Sequence, residues 1–181
     1  LLAEADDTLA RVKLGCDLII GKRLLGLKAR EVEGRLNTLL LDYMAGLPME
    51  SAIAREALAA ARKVKAFHWQ FVFPEVFEQG GFSAFVGNPP FLGGKRISTN
   101  YGDEYYAYLK ANWGHASGSA DLSAFFFLRA FHFLHTGGAL GFIATNTISQ
   151  AGTREVGLEH ILQHGGTIYY ANPSMKWPGI A

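Results

Sequence analysis

The spacing of hydrophobic positions changes partway along this chain. Over residues 1–65, apolar side chains recur at helical intervals, with charged residues largely on the other side. One such apolar face comprises Ala29, Val32, Leu36, Leu39, Leu40 and Tyr43. The break at Gly46-Leu47-Pro48 ends this helix, and Ser51 is placed to cap the next, which runs to about residue 64. The pattern predicts a helical N-terminal segment without identifiable chemistry.

From residue 82 onward, short apolar runs alternate with helical patterns, after an aromatic-rich connector at residues 66–81. Strands are expected at residues 82–87, 139–144 and 167–171, and helices at residues 122–134 and 153–164. Asp121 is expected to cap the first of these helices and Gly137-Gly138 to end it. Residues 92–120 are expected to form a long functional loop that contains a short helix at residues 105–109. This alternation predicts an α/β fold with a parallel, doubly wound sheet. Ligand sites in such sheets lie at the carboxyl ends of the strands.

The composition narrows the class of protein without naming a function. The 181 residues are 49% hydrophobic and 18% charged, with a formal net charge of +1, so no global basic surface marks a nucleic-acid binder. The single cysteine, Cys16, excludes an internal disulfide framework and suits a reducing cytoplasm. The apolar runs are too short to cross a bilayer, and no signal peptide is visible. The ends of the chain suggest a piece of a longer protein.

The tetrapeptide Asn88-Pro89-Pro90-Phe91, just past the first expected strand, carries the most specific chemistry. The residue before a proline is held in extended geometry, and two prolines remove two N–H donors from the turn. The Asn88 side-chain oxygen and the Pro89 carbonyl are therefore free to accept protons from one planar NH₂ group. Phe91 offers a face for stacking an extruded base. The alternative is an ordinary turn, since Asn-Pro and Pro-Pro are common in loops.

In its order of motifs, the chain resembles the N6-adenine DNA methyltransferases, and in particular the large single-chain enzymes of type IIG restriction–modification and related phage-defence systems. The resemblance covers about residues 66–181. It is carried by Phe67-His68-Trp69, Phe73-Pro-Glu-Val-Phe77, Gly87-Asn-Pro-Pro-Phe-Leu-Gly-Gly94, Ala120-Asp-Leu122, Gly138-Ala-Leu-Gly-Phe-Ile-Ala-Thr145, Ala144-Thr-Asn-Thr-Ile148, Thr153-Arg-Glu155 and Trp177-Pro-Gly179.

The resemblance implies a class I, Rossmann-like methyltransferase sheet at residues 66–181, truncated at both ends, with residues 1–65 as a helical segment. It implies S-adenosylmethionine as methyl donor, an adenine flipped out of double-stranded DNA as acceptor, and a bacterial or archaeal cytoplasmic enzyme. The residues that it assigns are the catalytic Asn88, Pro89 and Phe91, the substrate-binding Pro90, Asn146 and Trp177, and the supporting Asp121.

Each assigned residue outside the tetrapeptide also has a plain structural reading: a helix cap for Asp121, a turn residue for Asn146 and a packed loop aromatic for Trp177. The glycine-rich donor-binding loop of the family is not evident upstream of Asn88, so this segment alone is expected not to methylate DNA. The missing remainder of the methyltransferase is then a candidate partner. Two other functions stay open: an amino-methyltransferase acting on RNA, cytosine or protein, and an inactive module that binds nucleic acid or a partner subunit.

The histidines give no convincing metal site. His160 and His164 are one helical turn apart, as are His132 and His135, but neither pair has an obvious third ligand. The expectation for both pairs is exposed helix histidines, and for His68 a hydrogen-bonded structural role. No metal is predicted, and no strand–glycine–helix fingerprint indicates a dinucleotide.

Overall fold

The structure is a computed structural model that describes residues 2–25, 30–46, 51–113 and 120–175. It divides into two compact units, Leu1–Glu75 and Val76–Ala181. The first unit contains the helices α1 (Leu2–Leu24), α2 (Arg30–Met44), α3 (Ala52–Lys63), α4 (Trp69–Val72) and the start of α5 (Pro74–Glu78). The second contains the strands β1 (Phe82–Gly87) and β2 (Leu134–Phe142) and the helices α6 (Gly94–Tyr101), α7 (Asp103–Asn112), α8 (Leu122–Phe133), α9 (Ala151–Arg154) and α10 (His160–Gln163).

The helices of the first unit follow the expected pattern. Ser51 caps α3, and its side chain accepts a hydrogen bond from the Ala54 N–H at 3.4 Å. The small residues Ala54, Ala57 and Ala61 are fully buried along one stripe of α3. They allow α1 to approach so closely that a Cβ on Gly21 would lie 1.8 Å from the Ala57 carbonyl oxygen. Small side chains at this crossing therefore set the separation of the two helices.

The two strands of the second unit pair in parallel, as the alternating pattern predicts. Residues 84–87 of β1 lie opposite residues 139–142 of β2 in regular register, and the register shifts between Phe82 and Ala84. The glycine pair Gly137-Gly138 lies within this irregular part of β2, while α8 already ends at Phe133. The described residues are mostly helical, and the small parallel sheet lies within the second unit. The sheet has two strands among the described residues, so the doubly wound sheet stays a prediction.

The core of the second unit packs α8 against the helices on either side of it in sequence. Its buried members are Ile97, Tyr106, Leu109, Ala120, Leu122, Ala124, Phe125, Leu128, Val156 and Ile161. The helical run that begins at Ala151 passes through a π-helical turn, Glu155–Glu159, before α10. The expected helix at residues 153–164 is thus present and starts slightly earlier. Across the wide turn, the Arg154 Nε lies 2.9 Å from the Glu159 Oε1, so Arg154 is ion-paired.

Two expectations about the second unit are corrected. Residues 92–120 were expected to form a loop with a short helix, but α6 and α7 occupy most of the described part, because Ile97, Tyr106 and Leu109 bury a helical face in the core. The strand expected at residues 167–171 is absent from the described structure. Tyr169 and Tyr170 are 79% and 77% exposed there, and strand preference is realised only on a paired, half-buried surface.

Candidate active site

The loop after β1 leaves the sheet at the edge where both strands end. The Ile143 N–H donates to the Gly87 carbonyl oxygen at 3.1 Å, just beyond the last paired residues. Asn88 follows immediately and is exposed, while Pro89 is buried. Pro89 can be buried here without an unsatisfied donor because it has no N–H that needs a partner. A buried proline thus anchors the loop and leaves the Asn88 carboxamide accessible.

Asp121 holds the far end of this loop. Its Oδ1 accepts a hydrogen bond from the Ser123 N–H at 2.8 Å, which caps α8, and another from the Leu92 N–H at 3.4 Å. In return, the Leu92 carbonyl accepts from the Leu122 N–H at 2.8 Å. The Asp121 N–H donates to the Thr153 Oγ1 at 3.1 Å. This buried residue therefore ties the loop, the start of α8 and the helix α9 together.

The segment after β2 comes from the same edge of the sheet, because the two strands are parallel and end in register. Asn146 begins a short 3₁₀ helix, Asn146–Ser149, and is exposed. Its backbone carbonyl accepts from the Ser149 hydroxyl at 2.8 Å. The hydroxyls of its neighbours Thr145 and Thr147 are 2.6 Å apart. Asn146 thus has the turn role that was one of its two readings, and it stays open to a ligand.

An open cleft of about 550 Å³ lies between these segments. This volume is within the usual range for small-molecule sites, so the cleft has room for a nucleobase. Its walls are formed by Phe91, Leu92, Gly93, Gly94, Lys95, Arg96, Asp121, Thr145 and Thr147. Phe91 is 42% exposed, so a ligand in the cleft can reach it.

The structure brings most of the sequence-predicted site residues to one region. Phe91 and Asp121 line the cleft itself. Asn88, Pro89 and Pro90 precede Phe91 in the same loop, and Asn146 lies between two lining threonines. Trp177 lies outside the described residues. The assigned roles of all these residues remain predictions.

Four polar lining residues were assigned no site role from the sequence, namely Lys95, Arg96, Thr145 and Thr147. A signal for the basic pair was present in the run Gly93-Gly94-Lys95-Arg96, where two cations open a helix that follows the loop. The threonines flank Asn146 within a quoted motif, but nothing in their spacing shows that both line the cleft.

Two other potentially reactive side chains, Cys16 and His68, lie in the first unit. Burial, and secondarily the charge of Asp17, raises the pKa of the Cys16 thiol, which disfavours the nucleophilic thiolate. The His68 Nε2 lies 2.7 Å from the Asp17 Oδ1, in agreement with the hydrogen-bonded role expected for this histidine. No cluster of three or more metal-ligating side chains occurs among the described residues. Within the same part of the chain, no helix combines the length and hydropathy needed to cross a membrane.

A comparison with protein-family models identifies the family of this chain. A family model described as Eco57I restriction-modification methylase matches residues 24–165, which is most of the chain and includes the loop and the cleft. The chain belongs to this family. The Eco57I-family match confirms a methyltransferase of the restriction–modification type. Searches of curated proteins and of solved structures gave no match.

Proposed function

We propose that this Eco57I-family chain is the acceptor side of a DNA methyltransferase that methylates N6 of an adenine extruded from the duplex. The observation that carries this proposal is the arrangement of the loop after β1. Pro89 is buried, whereas Asn88 and Phe91 are exposed on either side of it. The loop thus combines a fixed backbone with an accessible amide and an accessible aromatic ring.

The acceptor chemistry follows from these groups. The Asn88 Oδ1 and the Pro89 carbonyl each accept one N–H of the adenine amino group. Two such hydrogen bonds turn the nitrogen lone pair away from the ring and toward the incoming methyl group. The nitrogen forms the new bond to the methyl carbon, and a sulfonium donor would leave as a neutral thioether as its bond to that carbon breaks. The alkylated nitrogen then loses one acidic proton to solvent, so no strong general base is required.

The aromatic ring helps to hold the base outside the duplex. Stacking of a base on an aromatic side chain contributes roughly 1–3 kcal/mol. Extrusion of a paired base costs a few kcal/mol, of which stacking on Phe91 offsets a part. Phe91 is therefore a substrate-binding face in this proposal, with a smaller effect on transfer than Asn88.

The methyl donor proposed is S-adenosylmethionine, which supplies an electrophilic methyl group when bound. Among the described residues upstream of β1, every regular element is a helix, so no strand followed by a glycine turn forms there. The described residues suit the binding of the base that accepts the methyl group and not the binding of the methyl donor. We infer that the donor-binding unit lies outside them, in the remainder of the methyltransferase.

Replacement of Asn88 by alanine tests the proposal in the complete protein. Removal of one hydrogen bond that acts in the transition state typically lowers the rate about 10²–10³-fold, and we expect at least that decrease in methyl transfer. Donor affinity, measured by calorimetry, should stay close to that of the unaltered protein. The matched control is Asn37→Ala, because Asn37 is an exposed asparagine of α2. Normal transfer by the Asn88 variant would end the proposal.

A second candidate is a module without catalytic activity that binds nucleic acid or a partner subunit. The observation in its favour is the helical character of the described residues upstream of β1. The discriminating measurement is donor binding by the complete protein: absence of S-adenosylmethionine binding together with DNA binding supports this module. Donor binding with transfer to RNA, cytosine or protein instead supports the third possibility, an amino-methyltransferase with another acceptor.

A further inference from the structure

The wall of the cleft beyond Phe91 is basic. Lys95 and Arg96 line it side by side at the start of α6, and both are exposed. Within the described residues neither side chain forms an ion pair, unlike Arg154 with Glu159. Two adjacent cations without an internal partner in the described structure therefore stand at the mouth of the proposed acceptor site.

The same wall presents further hydrogen-bond donors. Gly93 is the N-cap residue of α6 and has no side chain to accept from the first turn, of whose N–H groups that of Arg96 already donates to the Gly93 carbonyl oxygen at 2.7 Å. Such N–H groups and the helix dipole together favour an anion at this end of a helix. Thr145 and Thr147 line the cleft with two hydroxyls that are hydrogen-bonded to each other, which leaves one hydroxyl proton for a ligand. The donors of this wall therefore match the acceptor oxygens of a phosphate.

Among the described residues, one carboxylate lines the cleft, and it is already engaged. Asp121 is 6% exposed, and its Oδ1 accepts both the Ser123 and the Leu92 backbone N–H. Two cations against one carboxylate leave the described lining residues with a positive balance. This local charge contrasts with the net charge of only +1 for the whole chain.

We propose that Lys95 and Arg96 bind backbone phosphates of the DNA strand that carries the extruded adenine. This inference rests on the proposed function, because it uses Phe91 as the stacking face. Lys95 lies four positions after Phe91, a span of at most about 14 Å for an extended chain. Since a base and its flanking phosphates belong to the same stretch of backbone, a cation this near the base face meets those phosphates. The pair is thus a positioning pair that fixes register without reading sequence.

The salt dependence of DNA binding by the complete protein tests the assignment. The probe is a short duplex with an adenine opposite an abasic site, which lowers the cost of extrusion. Removal of one phosphate-binding cation makes the slope of log K against log salt concentration less negative by about 0.9, so Lys95→Gln/Arg96→Gln should change the slope by about 1.8. The matched control is Arg62→Gln/Lys63→Gln, an exposed basic pair in the last turn of α3 that removes equal charge. A slope change no larger than that of the control would overturn the assignment.

Replacement of individual DNA phosphates by uncharged methylphosphonates shows which phosphates Lys95 and Arg96 bind. Methylphosphonates flanking the adenine should weaken binding by the unaltered protein and have little further effect on the Lys95/Arg96 double variant, because the two changes remove the same interaction. Additive decreases in affinity would overturn the proposal. So would a fall in S-adenosylmethionine affinity without a change in slope, since the pair would then serve the donor.

The two proposals can fail separately. If the slope changes as expected but no methyl transfer to DNA occurs, the proposed function fails and the binding of phosphates by the pair stands. If transfer to DNA occurs and the slope does not change, the phosphate assignment fails and the proposed function stands.

Discussion

Asp121 shows how one side chain connects the folding of a helix to the shape of a site. Its Oδ1 caps α8 through the Ser123 N–H and also accepts the Leu92 N–H of the loop after β1. The sequence predicted the cap from the position of an aspartate ahead of an apolar helix. The hydrogen bond to Leu92 spans 29 positions along the chain, which no local pattern encodes. The cap of α8 and the position of the loop therefore both depend on the Asp121 Oδ1.

Replacement of Asp121 tests this double role. Asp121→Ala removes both hydrogen bonds, and loss of an N-cap alone typically costs about 1 kcal/mol, up to about 2. We expect at least that decrease in the free energy of unfolding, measured by urea denaturation. Asp121→Asn keeps an oxygen acceptor and is the matched control, with a smaller decrease. Equal stability of the alanine variant and the unaltered protein would show that these bonds contribute nothing.

The residues of the loop after β1 were easier to predict from the sequence than the rest of the site. Proline fixes its own geometry and that of Asn88 before it, so the loop after β1 follows from local chemistry. The cleft walls formed by Lys95 and Thr147 depend on how α6 and the segment after β2 come together. That arrangement is set by tertiary packing around α8, for which a single sequence gives no direct signal.

At the scale of elements, close packing of helices depends on glycine and alanine at defined positions. Gly21 of α1 faces the backbone of Ala57 in α3, with no space for a Cβ. Gly34 of α2 is also helical, but no described atom lies within 4 Å of the Cβ that it would gain. The two glycines thus offer the same substitution in opposite environments.

Alanine substitutions at these two glycines should change stability in opposite directions. Gly21→Ala forces α1 and α3 apart, and overpacking of this kind typically costs about 1–3 kcal/mol or more. Gly34→Ala replaces a poor helix former in open space and should raise stability by up to about 1 kcal/mol. The free energies of unfolding in urea provide the comparison. A Gly21→Ala variant as stable as the unaltered protein would contradict the described approach of the helices.

Elements were predicted well where the local signal agreed with the tertiary environment. The regular pairing of residues 84–87 with residues 139–142 lies within the expected strands. The helices α6 and α7 were largely missed because their polar, glycine-containing sequence hides a buried face at Ile97, Tyr106 and Leu109. Residues 167–171 have strand-forming side chains, but the described structure gives them no partner strand.

At the scale of the whole molecule, family membership and geometry describe different parts of the function. The Eco57I family match establishes a restriction–modification methylase. The exposed Asn88 and Phe91 around a buried Pro89 are the support for adenine as acceptor. The described residues contain the loop on which the acceptor proposal rests and a basic cleft wall, whereas no strand followed by a glycine turn is described upstream of β1.

Product analysis tests the central claim most directly. The complete protein is incubated with DNA and S-adenosylmethionine, the DNA is digested to nucleosides, and the methylated nucleoside is identified by mass spectrometry. We predict N6-methyladenine from the unaltered protein and none above background from Asn88→Ala. Methylation of cytosine only, or equal N6-methyladenine from both proteins, would contradict the assignment of Asn88 to the adenine amino group.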